Sequence, residues 1–193
     1  EYQRQAPLAY VPQTIHLQRD THQSHVMIGR RGYDAHNERR TALYLLNNLL
    51  GGPGMNSRLN VALRERSGLV YNVEANLTSY TDTGIFCIYF GTDPKQTDRC
   101  IRLVHKELKR LRERPLSTTQ FAAAQKQIIG QIGVSCDNFE NYALDMAKTF
   151  LHYDKFEGPQ GVFKRIEALT PHDLWEVANE MLDESHLSTL IYS

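Results

Sequence analysis

The sequence predicts an α+β domain with two layers, a mainly antiparallel sheet and helices packed on one face of it. Residues 70–79 alternate between apolar and polar types, which is typical of a strand with one solvated face. A turn at residues 81–84 joins this stretch to an apolar run at residues 85–90, so the two form a hairpin. Most of the chain from residue 95 onwards has helical periodicity. Strands that are segregated from helices in this way favour α+β over an alternating α/β architecture.

The N-terminal part is predicted to contain strands and helices that precede the hairpin. Residues 1–13 are polar, contain two prolines and are predicted to be a linker, so the domain is expected to cover residues 14–193. Apolar residues at i, i+3, i+4 and i+7 predict a core-facing helix that the glycines after Leu50 end. The predicted elements are strands at 14–17 and 24–31, this helix at 38–50, and a second helix that runs from a cap at Asn56 or Ser57 to Arg66.

The sequence of the hairpin predicts which faces of its two strands are buried. The first strand should place every second residue on the covered face. Because the second strand is apolar throughout, it is expected to be central and covered on both faces. The residues expected to share one face of the first strand are Tyr71, Val73, Ala75 and Leu77.

The C-terminal half is predicted to be helical and to end in a strand. Ser117 with Gln120 resembles a capping box, and Thr170 followed by Pro171 indicates another helix start. Gly158-Pro159 is expected to break the chain. The predicted elements are helices at 95–114, 117–135, 138–152 and 160–168, a helix that opens at 170–171, and a strand at 186–192.

The composition argues against nucleic-acid and membrane partners. Lys+Arg and Asp+Glu are both 22, so no net field attracts nucleic acid or an anionic membrane. No apolar run approaches the roughly 20 residues that a membrane helix needs. The three cysteines lack a CxxC spacing and are predicted to be buried free thiols, which favours a reducing, cytoplasmic compartment.

Metal and phosphate sites are both disfavoured by the motifs. His22 and His25 form an HxxH in a polar turn, but neither HxxEH nor HExxH occurs, so no zinc or other cofactor is expected in this chain. The glycines at residues 51–54 precede a helix and could hold an anion. They follow a helix rather than a strand, however, and lack the GK[ST] of a P-loop.

Arg64 and Tyr71 are seven residues apart, with Gly68 between them. An arginine and a tyrosine hydroxyl together can hold a peptide carbonyl or stabilise an oxyanion. Spacing alone favours a plainer interpretation, in which Arg64 is a surface residue at a helix end and Tyr71 is a core residue.

The stretch LLGGPGMNSRLNVALRERSGLVYNVEANLTSYTDTGIFCIYFGTDP, residues 49–94, resembles the C-terminal, zinc-lacking half of the M16 metallopeptidases. The resemblance lies in the leucine-rich helix, a GGGM-type turn, SRL, an R-E-x-x-G-L-x-Y run and the strand ending in GTDP. Pro53 stands where the family commonly has a third glycine. A looser similarity extends from about His25 to Leu182.

This resemblance implies a pair of homologous domains that close around a peptide. One half carries HxxEH and the zinc; the other lends an arginine and a tyrosine, which match Arg64 and Tyr71 here, with Arg66 as the local competitor. The turn that contains Gly51, Gly52 and Gly54 would lie near the interface between the halves. The implied partners are a peptide substrate and a zinc-bearing domain, in the same polypeptide or a separate subunit. The isolated domain could also form a homodimer. The alternative functions are a non-proteolytic structural subunit and a standalone peptide-binding module.

Overall fold

The structure is a computed structural model that describes residues 9–19, 21–155 and 158–193. One mixed sheet of five strands has the order β1-β5-β2-β4-β3. The strands are β1 (Thr14–Leu17), β2 (Ser24–Gly32), β3 (Val70–Ser79), β4 (Gly84–Thr92) and β5 (Ser188–Tyr192). The helices are α1 (Arg40–Gly51), α2 (Thr97–Glu113), α3 (Thr118–Ser135), α4 (Phe139–Tyr153), α5 (Gly158–Glu167) and α6 (Pro171–Met181), with a π helix at Asn60–Glu65 and 3₁₀ turns at Pro94–Gln96 and Glu184–His186.

The sheet is antiparallel except at one edge. β2 pairs antiparallel with β4 and with β5, and β3 pairs antiparallel with β4. The short strand β1 pairs parallel with β5, so the two ends of the domain meet. The predicted α+β class with a mainly antiparallel sheet is confirmed.

The helices cover one face of the sheet, and the hydrophobic core lies between the two layers. Helix α1 packs on β3 and is flanked by α3, α5 and α6. The largest fully buried side chains come from both layers, and they include Ile28, Phe86 and Phe90 from the strands and Leu43, Leu45 and Leu46 from α1. The apolar stripe in the sequence therefore identifies the central helix of the layer.

The other face of the sheet is open, which corrects the prediction that β4 is covered on both sides. Phe86, Ile88 and Phe90 point into the core, whereas Ile85 is 49% exposed. Met27, on the neighbouring strand β2, is 41% exposed on the same face. The apolar composition of β4 is real, but no helix of the described residues covers this face.

Local helix signals are reproduced closely. Ser117 with Gln120 and Thr170 with Asp173 form capping boxes. Gly158-Pro159 differs from the prediction, because these residues form the first turn of α5 and Gly158 has a φ of 63°. Proline is favoured at this position because its nitrogen needs no acceptor there.

The cysteines are free, but only Cys100 is buried; Cys87 and Cys136 are partly exposed, contrary to the expectation.

The predicted linker at 1–13 lies outside the described residues as far as residue 8. Within its described part, Tyr10 shares a hydrogen bond of 2.6 Å with Ser188 Oγ, and Thr189 donates to the Gln13 carbonyl at 2.8 Å.

Candidate functional site

Arg64 lies on a widened helix rather than on an ordinary α-helix. Residues 60–65 form a π helix in which the Arg66 amide donates to the Val61 carbonyl at 3.0 Å. The helix buries Leu63 completely and leaves the Arg64 side chain 46% exposed. π-helical turns occur frequently at functional sites, where the additional residue changes the direction of the following side chains.

The start of this helix differs from the predicted cap. Ser57 Oγ accepts a hydrogen bond from Asn60 Nδ2 at 3.0 Å, rather than from a backbone amide. Asn56 forms a side-chain hydrogen bond of 2.8 Å with Gln127 on α3. Ser57 therefore forms its side-chain hydrogen bond within the same segment, whereas Asn56 connects the segment to α3.

Gly68 connects the π helix to β3. It has a φ of 60°, and its amide donates to the Arg64 carbonyl at 2.8 Å. This left-handed conformation favours glycine because a Cβ atom would meet the backbone. The turn between Arg64 and Tyr71 therefore requires the glycine that the sequence places there.

A β-bulge turns Tyr71 towards solvent. Val70 pairs with Thr92 and Val73 with Phe90, so β3 has one more residue than β4 between these two pairs. The bulge puts both valines in the core and leaves Tyr71 89% exposed. The prediction that Tyr71 shares a face with Val73 is therefore wrong, because the additional residue reverses the alternation.

Arg64 lines a groove of about 460 Å³ between α1, β3 and the C-terminal end of α3. Arg66 and Tyr71 are not among the described residues that line this groove, so the groove distinguishes Arg64 from its neighbour Arg66. The Arg64 Nε atom is 3.8 Å from a Glu65 carboxylate oxygen, and both side chains are more than 40% exposed. Such a pair is weak and leaves the guanidinium available to an anion or a carbonyl. We refer to this space as the Arg64 groove.

The glycines of the turn approach the protein itself. A Cβ atom on Gly51 would lie 2.5 Å from the Ala75 nitrogen, and one on Gly52 would lie 2.6 Å from the Asn48 carbonyl oxygen. Neither residue has a positive φ, so glycine is needed at both positions because it lacks a side chain and not because of its backbone conformation. Gly51 and Gly52 also line the Arg64 groove; Gly54 lies outside its lining and adjoins the Asn56 side chain.

Two asparagines of α1 form the wall of the Arg64 groove and were not singled out in the sequence. Asn47 Nδ2 donates to the Ala75 carbonyl at 2.9 Å, and Asn48 Nδ2 donates to Gln131 Oε1 at 2.6 Å. Each asparagine is 8% exposed. The sequence signal for them is the polar pair inside the apolar run LLNNLL. A buried amide side chain normally has a hydrogen-bond partner, so such a pair on an apolar helix indicates specific contacts.

The histidines of the HxxH motif have separate surroundings. His25 Nδ1 is 2.8 Å from the Tyr89 hydroxyl oxygen on the open sheet face, and His22 is exposed in the preceding turn. Within the described ranges, no group of three His, Cys, Asp or Glu side chains could hold a metal ion. Every helix of the described part is too short or too polar to cross a bilayer.

Comparisons with known proteins identify the family. A family model for the peptidase M16 inactive domain matches residues 2–128. An uncharacterized zinc protease of Streptomyces coelicolor is 31% identical over 164 residues, which are 85% of this chain and 36% of that protein. The uncharacterized zinc protease YmxG of Bacillus subtilis is 27% identical over 173 residues, which are 90% of this chain and 42% of that protein.

Solved structures share the fold over nearly the whole chain. The M16 inactive domain from Pseudomonas fluorescens has a TM-score of 0.86 and 19% identity, covering 97% of this chain and 45% of its own. A chain of complex III2 from Candida albicans has a TM-score of 0.82 and 17% identity, and the match covers 96% of this chain and 46% of that one. The present chain thus spans less than half the length of these relatives, and it belongs to the peptidase M16 family as a domain of the inactive, C-terminal type.

Proposed function

We propose that this chain is the zinc-lacking half of an M16-type endopeptidase, which closes over an extended peptide and supplies Arg64 and Tyr71 to the scissile carbonyl. The zinc-bearing domain, in the same polypeptide or a separate subunit, would supply the metal that activates water. The chain lacks HxxEH, so on its own it would not hydrolyse peptides.

The observation that carries this proposal is the irregular backbone between Arg64 and Tyr71. A π helix, a left-handed glycine and a β-bulge follow one another between residues 60 and 73. Each departs from regular structure, and the bulge leaves Tyr71, a large aromatic residue, 89% exposed. Bulges of this kind are found next to active sites, where they direct a side chain towards a ligand.

The chemistry of the two side chains suits an oxyanion. Zinc-activated water would attack the scissile carbonyl and place a negative charge on its oxygen. An arginine remains charged throughout this step and donates from a rigid fork, and a phenol donates a single hydrogen bond. Donors that are positioned before the reaction stabilise the charged transition state more than the neutral carbonyl.

The open face of the sheet supports pairing with a further domain. Four apolar side chains on this face are between 41% and 49% exposed, namely Ile15, Leu17, Met27 and Ile85. They lie on three of the five strands, β1, β2 and β4, and a further domain that packed on this face would bury them. The three free cysteines suit a reducing compartment for the assembly.

The experiment reconstitutes the chain with its zinc-bearing half and measures cleavage of a fluorogenic peptide. Arg64→Ala and Tyr71→Phe should each lower kcat/KM on the order of 10²-fold, because each removes one oxyanion donor. Arg66→Ala, next to the π helix, and Tyr80→Phe, just beyond the far end of β3, are matched controls on exposed residues, and they should change kcat/KM by less than about twofold.

Retention of activity by both Arg64→Ala and Tyr71→Phe would exclude the assigned roles. A partner half without HxxEH, together with no cleavage of any peptide, would favour the non-proteolytic structural subunit instead.

A further inference from the structure

A second and larger cavity lies beneath α4, which we call the α4 cleft. It has a volume of about 890 Å³ and is bounded by α3, α4 and α5. Helix α4 buries none of its residues, so it stands away from the layer of helices that covers the sheet. A cavity of this size accommodates several amino-acid side chains.

Helix α4 is capped at one end and bonded to the domain at the other. At its C-terminal end, the Tyr153 hydroxyl donates to the Ala35 carbonyl at 2.8 Å and accepts from Arg40 Nη1 at 2.8 Å. At its N-terminal end, Asn138 Oδ1 accepts from the Asn141 amide at 3.1 Å. The cleft therefore lies under a helix that is capped at one end and bonded to the domain at the other.

The lining of the α4 cleft combines apolar and basic side chains. Ile132, Met146 and Val162 provide apolar surface from three different helices. Among the described residues, the charged side chains that line it are Arg40, Lys148, Lys155, Arg165 and the carboxylate of Asp145. The Lys148 ammonium is 3.9 Å from Asp145, but both side chains are more than 70% exposed, so solvent screens this pair.

The α4 cleft adjoins the Arg64 groove. Ile132 and Ser135, at the C-terminal end of α3, line both spaces. A chain that lies in the groove beside Arg64 and passes over Ser135 would reach the cleft. An extended peptide advances about 3.3 Å per residue, so residues remote from the scissile bond would reach it.

We propose that the α4 cleft binds a segment of the substrate peptide remote from the scissile bond, and that it selects acidic segments that also carry an apolar side chain. This inference rests on the proposed function, because it takes the occupant of the Arg64 groove to be a peptide substrate. It adds a preference that Arg64 and Tyr71 do not supply, since both would contact the backbone carbonyl that every peptide has.

The charge of the cleft favours a peptide over a second copy of this chain. In a twofold dimer with the cleft on its axis, Lys148 and Lys155 would face the same two lysines of the second copy. An acidic peptide would instead compensate these exposed lysines. The apolar surface between the basic residues would bury the side chain of a leucine or phenylalanine.

The first test measures binding without turnover. The complete protein, including its zinc-bearing half, is kept in a chelator, and fluorescein-labelled peptides are titrated by anisotropy. The peptides share one central sequence and carry, at either end, the extension Glu-Leu-Glu-Glu, Lys-Leu-Lys-Lys or Ser-Gly-Ser-Ser. The acidic peptide should bind about tenfold more tightly than the basic one at low salt, and the difference should shrink as salt is added.

Two variants locate the effect. Lys148→Glu reverses one charge on a side chain that is 71% exposed and should reduce the preference for the acidic peptide by about fivefold. Ser135→Trp should obstruct the junction between the two spaces and weaken binding of every extended peptide. Lys106→Glu, on an exposed residue of α2 that does not line the α4 cleft, is the matched control and should leave the preference unchanged.

The second test uses cleavage and separates the two proposals. With zinc restored, the acidic extension should lower KM and leave kcat almost unchanged, because it adds binding remote from the reacting bond. Equal binding of the acidic and basic peptides, or no response to Lys148→Glu, overturns the role of the cleft even if cleavage proceeds. Charge-dependent binding without any cleavage overturns the proposed peptidase function and leaves the cleft as a peptide site. If Lys148→Glu weakens association of the two halves and not peptide binding, the cleft is occupied by the partner and our inference is wrong.

Discussion

The Ala75 backbone nitrogen lies 2.5 Å from the position that a Cβ atom on Gly51 would occupy. One turn earlier on α1, Asn47 Nδ2 donates to the Ala75 carbonyl at 2.9 Å. Helix α1 thus contacts Ala75 of β3 both by close packing and by a hydrogen bond. Because Val73 and Ala75 belong to the strand that carries Tyr71, this contact fixes the strand on which the candidate site depends.

Gly51→Ala should destabilise the domain by about 1–3 kcal/mol, because a methyl group cannot be placed without separating α1 from β3. The expected decrease in Tm is about 2–4 °C for each kcal/mol. Chemical unfolding measures the free energy of unfolding and thermal unfolding measures Tm, and circular dichroism follows both transitions. The matched control is Gly130→Ala on α3, where an added Cβ atom meets nothing within 4 Å.

The control should stabilise the domain by about 0.5–1 kcal/mol, since alanine favours a helix interior over glycine. If Gly51→Ala behaved like Gly130→Ala, the close approach of α1 to β3 would not exist in solution.

Gly68→Ala should cost about 1–2 kcal/mol of stability through conformation alone. Its φ is 60°, and beyond Gly68 itself and its two neighbours in the chain no atom lies within 4 Å of an added Cβ, so overlap with the rest of the domain contributes nothing. Gly68→Asn should cost less, because asparagine tolerates this conformation better than alanine. In the reconstituted assembly, the proposed function predicts that both variants lower kcat/KM, because the turn sets the position of Arg64 relative to Tyr71.

Gly133→Ala on α3 is the control for this pair, since an added Cβ atom is equally free of contacts there but φ is not positive. Equal stabilities of Gly68→Ala and Gly133→Ala would contradict the left-handed turn.

Tyr33 should make stability sensitive to alkaline pH. Burial raises the pKa of its phenol above the ordinary value of 10.0, and the hydrogen bond of 2.7 Å to the Glu180 carboxylate raises this pKa further. The folded state therefore keeps the proton when the unfolded chain loses it. The contribution of Tyr33 is complete below about pH 10 and is lost as the pH rises above that value.

Tyr33→Phe isolates this effect. The free energy of unfolding of the two proteins should differ by about 1–3 kcal/mol near pH 8, because the variant loses a hydrogen bond to a charged group. The difference should shrink between about pH 10 and pH 11. Tyr80→Phe, on the exposed hairpin, is the control. A constant difference across this range would show that the Tyr33 phenol does not titrate differently in the folded state.

Local patterns in the sequence predicted most elements, because each depends on neighbours in the chain. The stripe from Ala42 to Leu49 identified α1, and the capping boxes at Ser117 and Thr170 are formed as expected. The sequence places Gly68 between the two candidate residues but does not predict its left-handed conformation. Family resemblance, and not spacing, selected Arg64 and Tyr71, and their catalytic roles remain predictions.

The sequence by itself therefore determined the α+β class, the order of the elements and the residues that repeat at core positions. Tertiary structure alone decided the bulge that exposes Tyr71, the groove that Arg64 lines, the open face of the sheet and the cleft under α4. These features depend on how segments distant in the chain are paired or separated. In the bulge, β3 has one more residue than β4 between two paired positions. This register depends on the pairing of two strands, so no periodicity within β3 encodes it.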